Sequence, residues 1–328
     1  SGGDLMKTLF SKSNRVTFFE TIVCFNFLFF SFAWGLDYPT KPINLIVAAT
    51  PGSGIDIKAR ILAEVASKDL GVPIVVINKG GGMGGVGATF VAKEKPDGYT
   101  ILTTFSGSMT SNFALFPDLT YKRADFVPLF RSIIIPVNIA VKADSPYKSL
   151  KDFLDAAKKS PGKLRFGTTS ASLVLVWEGL LKKEGIDMIQ MTYKGAGDTV
   201  HALLGGHIDC HIDPLGPMVP HVEAGKVRLL ASISSKRNKN YPDVPTLKEV
   251  GYSDFSRDFW NGFFAPAGLP EPIMEKFVKA FENALSLPDV QVRLDKAGFF
   301  AAFIGPREFA NFWDEEYNFY MALAKEKK

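Results

Sequence analysis

Cysteine and histidine are scarce in this sequence, which limits its chemistry. There are two cysteines and four histidines among 328 residues. Cys24 lies in a segment that we predict below to be removed, so Cys210 has no partner for an intrachain disulfide and is predicted to be a small buried hydrophobe. Neither a Cys-x-x-Cys nor a His-Glu-x-x-His pattern occurs, so no metal site is predicted. We interpret the four histidines as surface or structural residues; they are His201, His207, His211 and His221.

The chain also lacks a strong charge bias and the usual nucleotide motifs. Its formal net charge is +4, without a block of like charges, which excludes a nucleic-acid partner. The phosphate-binding pattern Gly-x-x-x-x-Gly-Lys-[Ser/Thr] is missing. A Gly-x-Gly-x-x-Gly match covers 80–85, but the acidic residue expected about 20 positions later at a strand end is missing. We therefore predict no cofactor and rank a dinucleotide site below small-anion binding.

The one long apolar run has the pattern of a secretory signal. Lys7, Lys12 and Arg15 precede an apolar segment over 22–33, and small residues follow near 31–35. A transmembrane anchor is the alternative, but the run is shorter than the roughly 20 apolar residues that a span needs. Residues 1–35 are therefore predicted to be a tag remnant plus a signal peptide, cleaved near 33–35, on a protein exported to the periplasm.

Strands and helices alternate along the remainder of the chain. This pattern predicts an α/β protein with mainly parallel sheets and helices on both faces. Strand-like segments near 137–142 and 260–265 can carry the chain between two lobes. We predict a first lobe from 36–141 and 262–328, a second lobe from 142–261, and a cleft between them. Several late aromatics are predicted to be core: Phe255, Phe259, Trp260, Phe263 and Phe264.

Two glycine-rich loops follow the first two strands. The strand over 43–49 leads into Thr50–Asp56, and the strand over 74–78 leads into Gly80–Gly87. Such loops expose backbone N–H groups at the start of a helix, where the helix dipole favours an anion. Adjacent loops at the carboxyl edge of a parallel sheet predict a socket for a carboxylate or a phosphate.

Polar side chains follow other strands. Ser106–Asn112 and Thr168–Ser172 are candidate hydrogen-bonding loops, for which turn formation or helix capping is an equal alternative. Asp213 ends a strand, where it can contact a ligand or cap the following turn. Asp56 begins a helix, and we predict that it braces its loop. No catalytic residue is predicted. The predicted ligand-binding residues are Thr50, Gly52, Ser53, Gly54, Gly82, Met83, Gly84, Ser106, Ser108, Asn112, Thr168, Thr169, Ser170 and Asp213.

Several short motifs resemble one family in order along the chain. They are Tyr38–Ile43, Pro51–Asp56, Asn78–Gly85, Lys95–Thr100, Tyr193–Gly195, Leu204–Asp209, Pro242–Thr246 and Gly262–Pro270. The sequence resembles the Bug-type, TctC-like solute receptors of the tripartite tricarboxylate transporter system over nearly all of Leu36–Lys328. This resemblance implies a two-lobed periplasmic binding protein of the Venus-flytrap kind, type II-like. Such a receptor delivers a small carboxylated solute to membrane permease subunits.

The resemblance also implies roles for particular segments. Thr50–Asp56 and Gly80–Gly87 correspond to the loops that hold a carboxylate, often through water, and Thr168–Ser172 and Asp213 to the contacts from the second lobe. The chain departs from the family pattern in Ser53 for glycine, Ile55 for threonine, and Ala48-Ala49-Thr50 for an aromatic and prolines. Val174 stands where a histidine is common, which predicts an apolar-tailed or aromatic carboxylate instead of citrate.

Two other functions use the same cleft. An exported enzyme is one, with Ser106 or Ser170 as nucleophile, although the Gly-x-Ser-x-Gly motif of such serines is missing. A ligand-loaded sensor for a membrane kinase is the other, and the sequence does not separate it from transport. We predict a monomeric receptor that is not an enzyme.

Overall fold

The computed structural model describes residues 37–193 and 195–327, so the predicted signal peptide lies outside the described residues. Residues from Lys41 onward form one compact unit. In the separate unit Ser1–Thr40, the described residues include a cis peptide bond between Tyr38 and Pro39. The strands are β1 Ile43–Val47, β2 Ile74–Asn78, β3 Thr100–Phe105, β4 Phe126–Ile135, β5 Val137–Lys142, β6 Arg165–Thr168, β7 Ile189–Thr192, β8 Cys210–Pro214, β9 Val227–Ser232, β10 Phe259–Pro266 and β11 Phe300–Ile304.

The helices lie between these strands and after the last one. They are α1 Gly54–Leu70, α2 Gly85–Val91, α3 Ser106–Met109, α4 Ser111–Leu115, α5 Leu150–Lys159, α6 Ala171–Glu184, α7 Ala196–Leu204, α8 Val219–Glu223, α9 Glu271–Ser286, α10 Pro288–Lys296 and α11 Pro306–Lys327. No helix in the described ranges is both long enough and apolar enough to cross a membrane.

The strands form two sheets, and each sheet with its helices is one lobe. The first lobe has the strand order β11-β4-β10-β3-β1-β2, and the second has β7-β6-β8-β5-β9. Strand β1 pairs in parallel with β2 and β3, whereas β10 runs antiparallel to β3 and β4. In the second lobe β6 is parallel to β7 and β8, and β5 is antiparallel to β8 and β9. The two-lobed α/β fold is confirmed, but the sheets are mixed.

The sheets are mixed because the chain crosses between the lobes. The segment 133–141 is strand-like in sequence, and Pro136 within it predicts an edge or a crossing segment, since proline has no N–H to donate to a ladder. In the structure Pro136 separates β4 from β5. The chain thus changes sheet between Ile135 and Val137, and changes back between Ser232 and Phe259. The exact lobe limits at 141/142 and 261/262 stay a prediction.

Each lobe has its own apolar core. In the first lobe Trp260 and Phe264 pack with Phe309 and Trp313 of α11. In the second lobe Phe153, Phe166 and Trp177 belong to one cluster, which also includes Cys210, Phe255, Phe259 and Tyr320. The aromatics predicted as core are buried, as is Cys210. Helix α11 therefore contributes side chains to both cores.

Local sequence explains several helix ends that hold the loops in place. Ser53 caps α1, and Ser149 forms a capping box with Asp152 at the start of α5. Gly185 has a left-handed conformation and ends α6, a conformation that glycine adopts without a side-chain clash.

Candidate ligand-binding site

Asp56 holds the first glycine loop. Its Oδ2 accepts hydrogen bonds from the backbone N of Gly52 at 2.9 Å and from Nε of Arg60 at 3.1 Å. Its Oδ1 accepts from Nδ2 of Asn78 at 3.0 Å, which ties the loop to the end of β2. Burial opposes ionisation, but the bonds from Arg60, Gly52 and Asn78 prevail and lower the pKa of Asp56. These are the contacts of a loop-bracing carboxylate.

The second glycine loop is held by contacts with buried residues of the first lobe. Gly84 has a φ of +83°, and a Cβ there would lie 2.9 Å from Cβ of Ser108, so the close approach requires glycine. Nδ2 of Asn112 donates to the carbonyl oxygen of Met83 at 3.0 Å. The hydroxyl of Ser108 donates to the carbonyl of Phe105 at 2.8 Å. Ser108 and Asn112 thus support the loop from below.

Asp213 performs the corresponding task in the second lobe. It is 1% exposed. Its Oδ1 accepts from the hydroxyls of Thr168 at 3.2 Å and Thr169 at 2.8 Å, and its Oδ2 from the hydroxyl of Thr199 at 3.0 Å. The backbone N of Thr169 donates to both oxygens at 3.1 Å. Burial raises the pKa of Asp213, against the lowering effect of these bonds.

The predicted site residues divide into two groups by exposure. Exposed or partly exposed at the loop tips are Thr50, Gly52, Ser53, Gly54, Gly82, Met83, Thr169 and Ser170. Buried are Gly84, Ser106, Ser108, Asn112, Thr168 and Asp213. The sequence predicts ligand contacts for Ser108, Asn112 and Asp213, but the hydroxyl of Ser108, Nδ2 of Asn112 and both carboxylate oxygens of Asp213 form hydrogen bonds within their own lobes. We therefore reassign these three as residues that brace the loops.

A cavity of about 270 Å³ is lined by residues of both lobes, and some of the predicted site residues are among them. The first lobe contributes Met83 and Leu115, and the second contributes Thr168, Thr169, Ser170, Ala171, Val174, Leu175, Gln190 and Thr192. Thr50, Gly52, Ser53 and Gly54 do not line it. The cavity approaches the lower size limit of small-molecule sites.

The cavity lies at the N-terminal end of α6. Ser170 is the cap residue of this helix of 14 residues, and its side chain makes no capping hydrogen bond. Backbone N–H groups in the first turn of a helix have no partner within the helix, and the dipole is positive there. The hydroxyl of Ser170 adds a donor at the same place. This end of the cavity is therefore suited to an anion.

Sequence reasoning missed three lining residues, Leu115, Gln190 and Thr192. Leu115 belongs to a helix of five residues that no sequence period reveals. Gln190 and Thr192 lie on an edge strand whose residues are all exposed. Thr192 pairs with Thr168 in the sheet register. From sequence, Thr192 could have been placed beside the threonine loop only by assigning β6 and β7 as neighbouring strands and aligning Thr168 with Thr192.

The lobes contact each other on two sides of the chain crossings. Oγ of Ser111 in α4 lies 2.7 Å from Oγ of Ser172 in α6, and both residues are buried. On the other side, Nζ of Lys239 donates to Oδ2 of Asp295 at 2.6 Å. Two further clefts near this ion pair, of about 510 and 710 Å³, are lined by none of the predicted ligand-binding residues. The two lobes are thus in direct contact at both places in this structure, and this arrangement is called closed here.

Comparison with known proteins finds relatives that match most of the chain. Protein BugT of Bordetella pertussis is 32% identical over 252 residues, which cover 76% of this chain and 77% of that protein. The structure of MatC from Rhodopseudomonas palustris with bound malate has 29% identity and a TM-score of 0.72, covering 88% of this chain and 100% of that chain.

A second structure from R. palustris, with adipate, has 27% identity and a TM-score of 0.76. It covers 88% of this chain and 98% of that chain. The family model described as tripartite tricarboxylate transporter family receptor, TctC, matches residues 58–328. With the two-lobed fold and the cavity between its lobes, this match shows that the chain belongs to the TctC family of solute-binding receptors.

Proposed function

We propose that this receptor captures a small carboxylate with an apolar tail between its lobes and delivers it, chemically unchanged, to a membrane permease. Receptors of this family are periplasmic, and we propose the same location here, after removal of the signal peptide. The single observation that supports the proposal best is the cavity at the start of α6, where anion donors and apolar side chains meet.

The carboxylate end of the solute is assigned to the threonine loop. Ser170 offers a hydroxyl donor beside the first N–H groups of α6. Asp213 holds this loop from beneath, so the donors are fixed before the solute arrives. Fixed donors bind an anion more tightly than mobile ones, because less ordering is needed on binding.

The tail of the solute is assigned to the apolar part of the cavity lining. Met83, Leu115, Val174 and Leu175 supply apolar surface there, and Met83 is 49% exposed. Burying each methylene of a solute contributes about 0.8 kcal/mol. Adipate, which is bound in the second R. palustris structure, has such a methylene chain. Malate, which is bound in the MatC structure, is shorter and more polar. We therefore expect this receptor to prefer solutes like adipate to solutes like malate.

The test is calorimetric titration of the purified protein with mono-, di- and tricarboxylates of increasing chain length and with aromatic acids. We expect binding of carboxylates with methylene or aromatic tails and no turnover of any of them. Tight binding of citrate without binding of the apolar-tailed acids contradicts the tail assignment. Release of a product from any bound solute contradicts a receptor and supports the exported enzyme.

Replacing Ser170 by aspartate is expected to abolish solute binding without unfolding the protein. Aspartate is a good cap residue, so the helix loses no stability. Its carboxylate, however, places a negative charge where the solute carboxylate binds. We expect affinity to fall at least ~100-fold, equivalent to about 2.7 kcal/mol, with an unchanged or higher melting temperature.

The matched control is Ser170→Asn, which has the same shape as aspartate and no charge. Asparagine also caps helices well, so we expect its affinity to stay within about threefold of the wild type. Equal losses in both variants indicate a steric effect and contradict an anion at this position. Unchanged affinity in both variants places the solute elsewhere.

A further inference from the structure

Helix α11 connects the two lobes next to the chain crossings. Its side chains Phe309 and Trp313 belong to the core of the first lobe, and Tyr320 belongs to the core of the second. Gly179 of α6 lies against Leu323 of α11, since a Cβ on that glycine would be 3.1 Å from Leu323. A rotation of one lobe relative to the other must therefore change the contacts of this helix.

Glu316 lies midway along this helix and is almost completely buried, with 3% of its surface exposed. Its Oε1 is 3.8 Å from Nε of Arg257, which is longer than a good charge-assisted hydrogen bond. Among the described residues, no group forms a hydrogen bond with its Oε2. A buried carboxylate that is paired this weakly is costly to ionise.

Arg257 belongs to the segment that returns the chain from the second lobe to the first. Its backbone N donates to the carbonyl oxygen of Ile233 at 2.7 Å, and its guanidinium lies 3.8 Å from the ring centre of Phe319. The neighbouring Asp258 accepts from the backbone N and the hydroxyl of Ser235 at 2.9 and 2.8 Å. Arg257 is thus the only close positive partner of Glu316 in the described structure. It is held on the segment where the chain crosses back between the lobes, which is called the hinge here.

Other charged and titratable groups also face Glu316. Arg257 and the indole of Trp260 favour its charged form, whereas Asp258 and Glu315 oppose it. Arg131 of β4 interacts with Asp258, Glu308 and Glu316, and Tyr320 lies next to Glu316 on the same helix. The nearby negative groups partly cancel the two arginines, so burial decides the state of the carboxyl group.

We propose that Glu316 is a proton-dependent latch of the hinge, whose neutral carboxyl group favours the closed arrangement of the lobes. When the carboxyl is ionised, an open arrangement gains stability, because it can give the carboxylate water or a shorter contact with Arg257. The inference rests on the proposed receptor function, since it concerns the closure that retains the solute.

The size of the effect follows from proton linkage. Burial raises the pKa of Glu316 from the ordinary 4.5 to about 7 in the closed arrangement. A raised pKa means that closed protein binds more protons, so its advantage is full below about 4.5 and is lost as pH rises through about 7. The ratio of closed to open protein is then expected to fall about tenfold from pH 6 to pH 8.

The experiment measures the distance between the lobes in the absence of solute. Fluorophores are attached to Lys95→Cys in the first lobe and Lys159→Cys in the second, both exposed positions, in a Cys24→Ser background. Cys210 is fully buried and does not react. Single-molecule energy transfer at pH 6 and pH 8 is expected to show the closed population declining about tenfold relative to the open one.

Two variants on the same helix separate the latch from general effects of pH. Glu316→Gln keeps a neutral side chain at every pH, so we expect a closed population that no longer changes with pH. Exposed Glu315→Gln is the control and is expected to behave as the wild type. A wild type that does not respond to pH, or a Glu316→Gln variant that still does, overturns the proposal.

A direct measurement on the wild type covers the case in which Glu316→Gln does not fold. Carbon NMR of side-chain carboxyl groups in 13C-glutamate-labelled protein is expected to show one glutamate that titrates near pH 7. If every glutamate titrates near 4.5, the latch is contradicted. Because no solute is present, this result is independent of whether the proposed carboxylate binds.

Discussion

Replacing Asp213 by alanine is expected to cause a large loss of both solute binding and stability. The alanine removes the acceptor for the hydroxyls of Thr168 and Thr169 and for the backbone N of Thr169. Buried donors without an acceptor cost about 1–3 kcal/mol each. We expect about 3 kcal/mol less stability in urea unfolding and an affinity at least ~100-fold lower by calorimetry.

Asp213→Asn distinguishes bracing from direct contact with the solute. The amide oxygen can accept from the backbone N of Thr169, and the amide nitrogen can donate to the hydroxyl of Thr199, which already donates to Ala196 at 2.8 Å. We therefore expect the asparagine variant to retain most of its stability and affinity. If asparagine abolishes binding while the protein stays as stable as the wild type, Asp213 contacts the solute directly and our reassignment is wrong.

Lys58→Met is expected to stabilise the protein. Lys58 is fully buried in the first lobe, where Nζ donates to the hydroxyl of Thr103 at 2.6 Å and lies 4.5 Å from the ring centre of Phe263. No carboxylate pairs with it among the described residues. Methionine fills similar space, and Thr103 keeps its own bond to the carbonyl of Gly262 at 3.2 Å. We expect a gain of about 2 kcal/mol at pH 7.

The pH dependence gives this second prediction its sharpest test. Burial lowers the pKa of Lys58 well below the ordinary 10.5. The unfolded chain therefore binds more protons, and the wild type loses stability as pH falls from about 10.5 toward the lowered value. The advantage of Lys58→Met, measured by urea unfolding, should be larger at pH 7 than at pH 9.5. An advantage that does not vary with pH contradicts this reasoning, and exposed Lys68→Met on the same helix is the control.

Much of the fold was predictable because its local signals are strong. The sequence predicts a strand over 74–78 and a strand-like segment near 137–142, and the structure has strands Ile74–Asn78 and Val137–Lys142. Strand β11 was missed because it depends on pairing with β4, far away in the sequence. The antiparallel strands follow from the two crossings, and local periodicity does not report the direction in which a strand enters a sheet.

The candidate site was predictable as a set of loops but not as a set of contacts. Loop position follows from strand ends, so Met83, Thr169 and Ser170 were named from sequence. Whether a polar side chain points into the cavity or under the loop depends on neighbours that only the fold brings together. Asn112 and Asp213 face inward because the carbonyl of Met83 and the threonine hydroxyls lie there.

The order of the chain has a consequence for how the protein is assembled during synthesis. Strand β10, drawn from Phe259–Pro266, lies between β3 and β4 in the middle of the first sheet. The earliest strands therefore wait for residues made more than a hundred positions later, since Phe264 pairs with Leu102. Until then β3 has a bare edge and β4 has no neighbouring strand in the first sheet. The first lobe is thus incomplete for most of the synthesis, and a polypeptide that has not finished folding can still be threaded through a narrow pore.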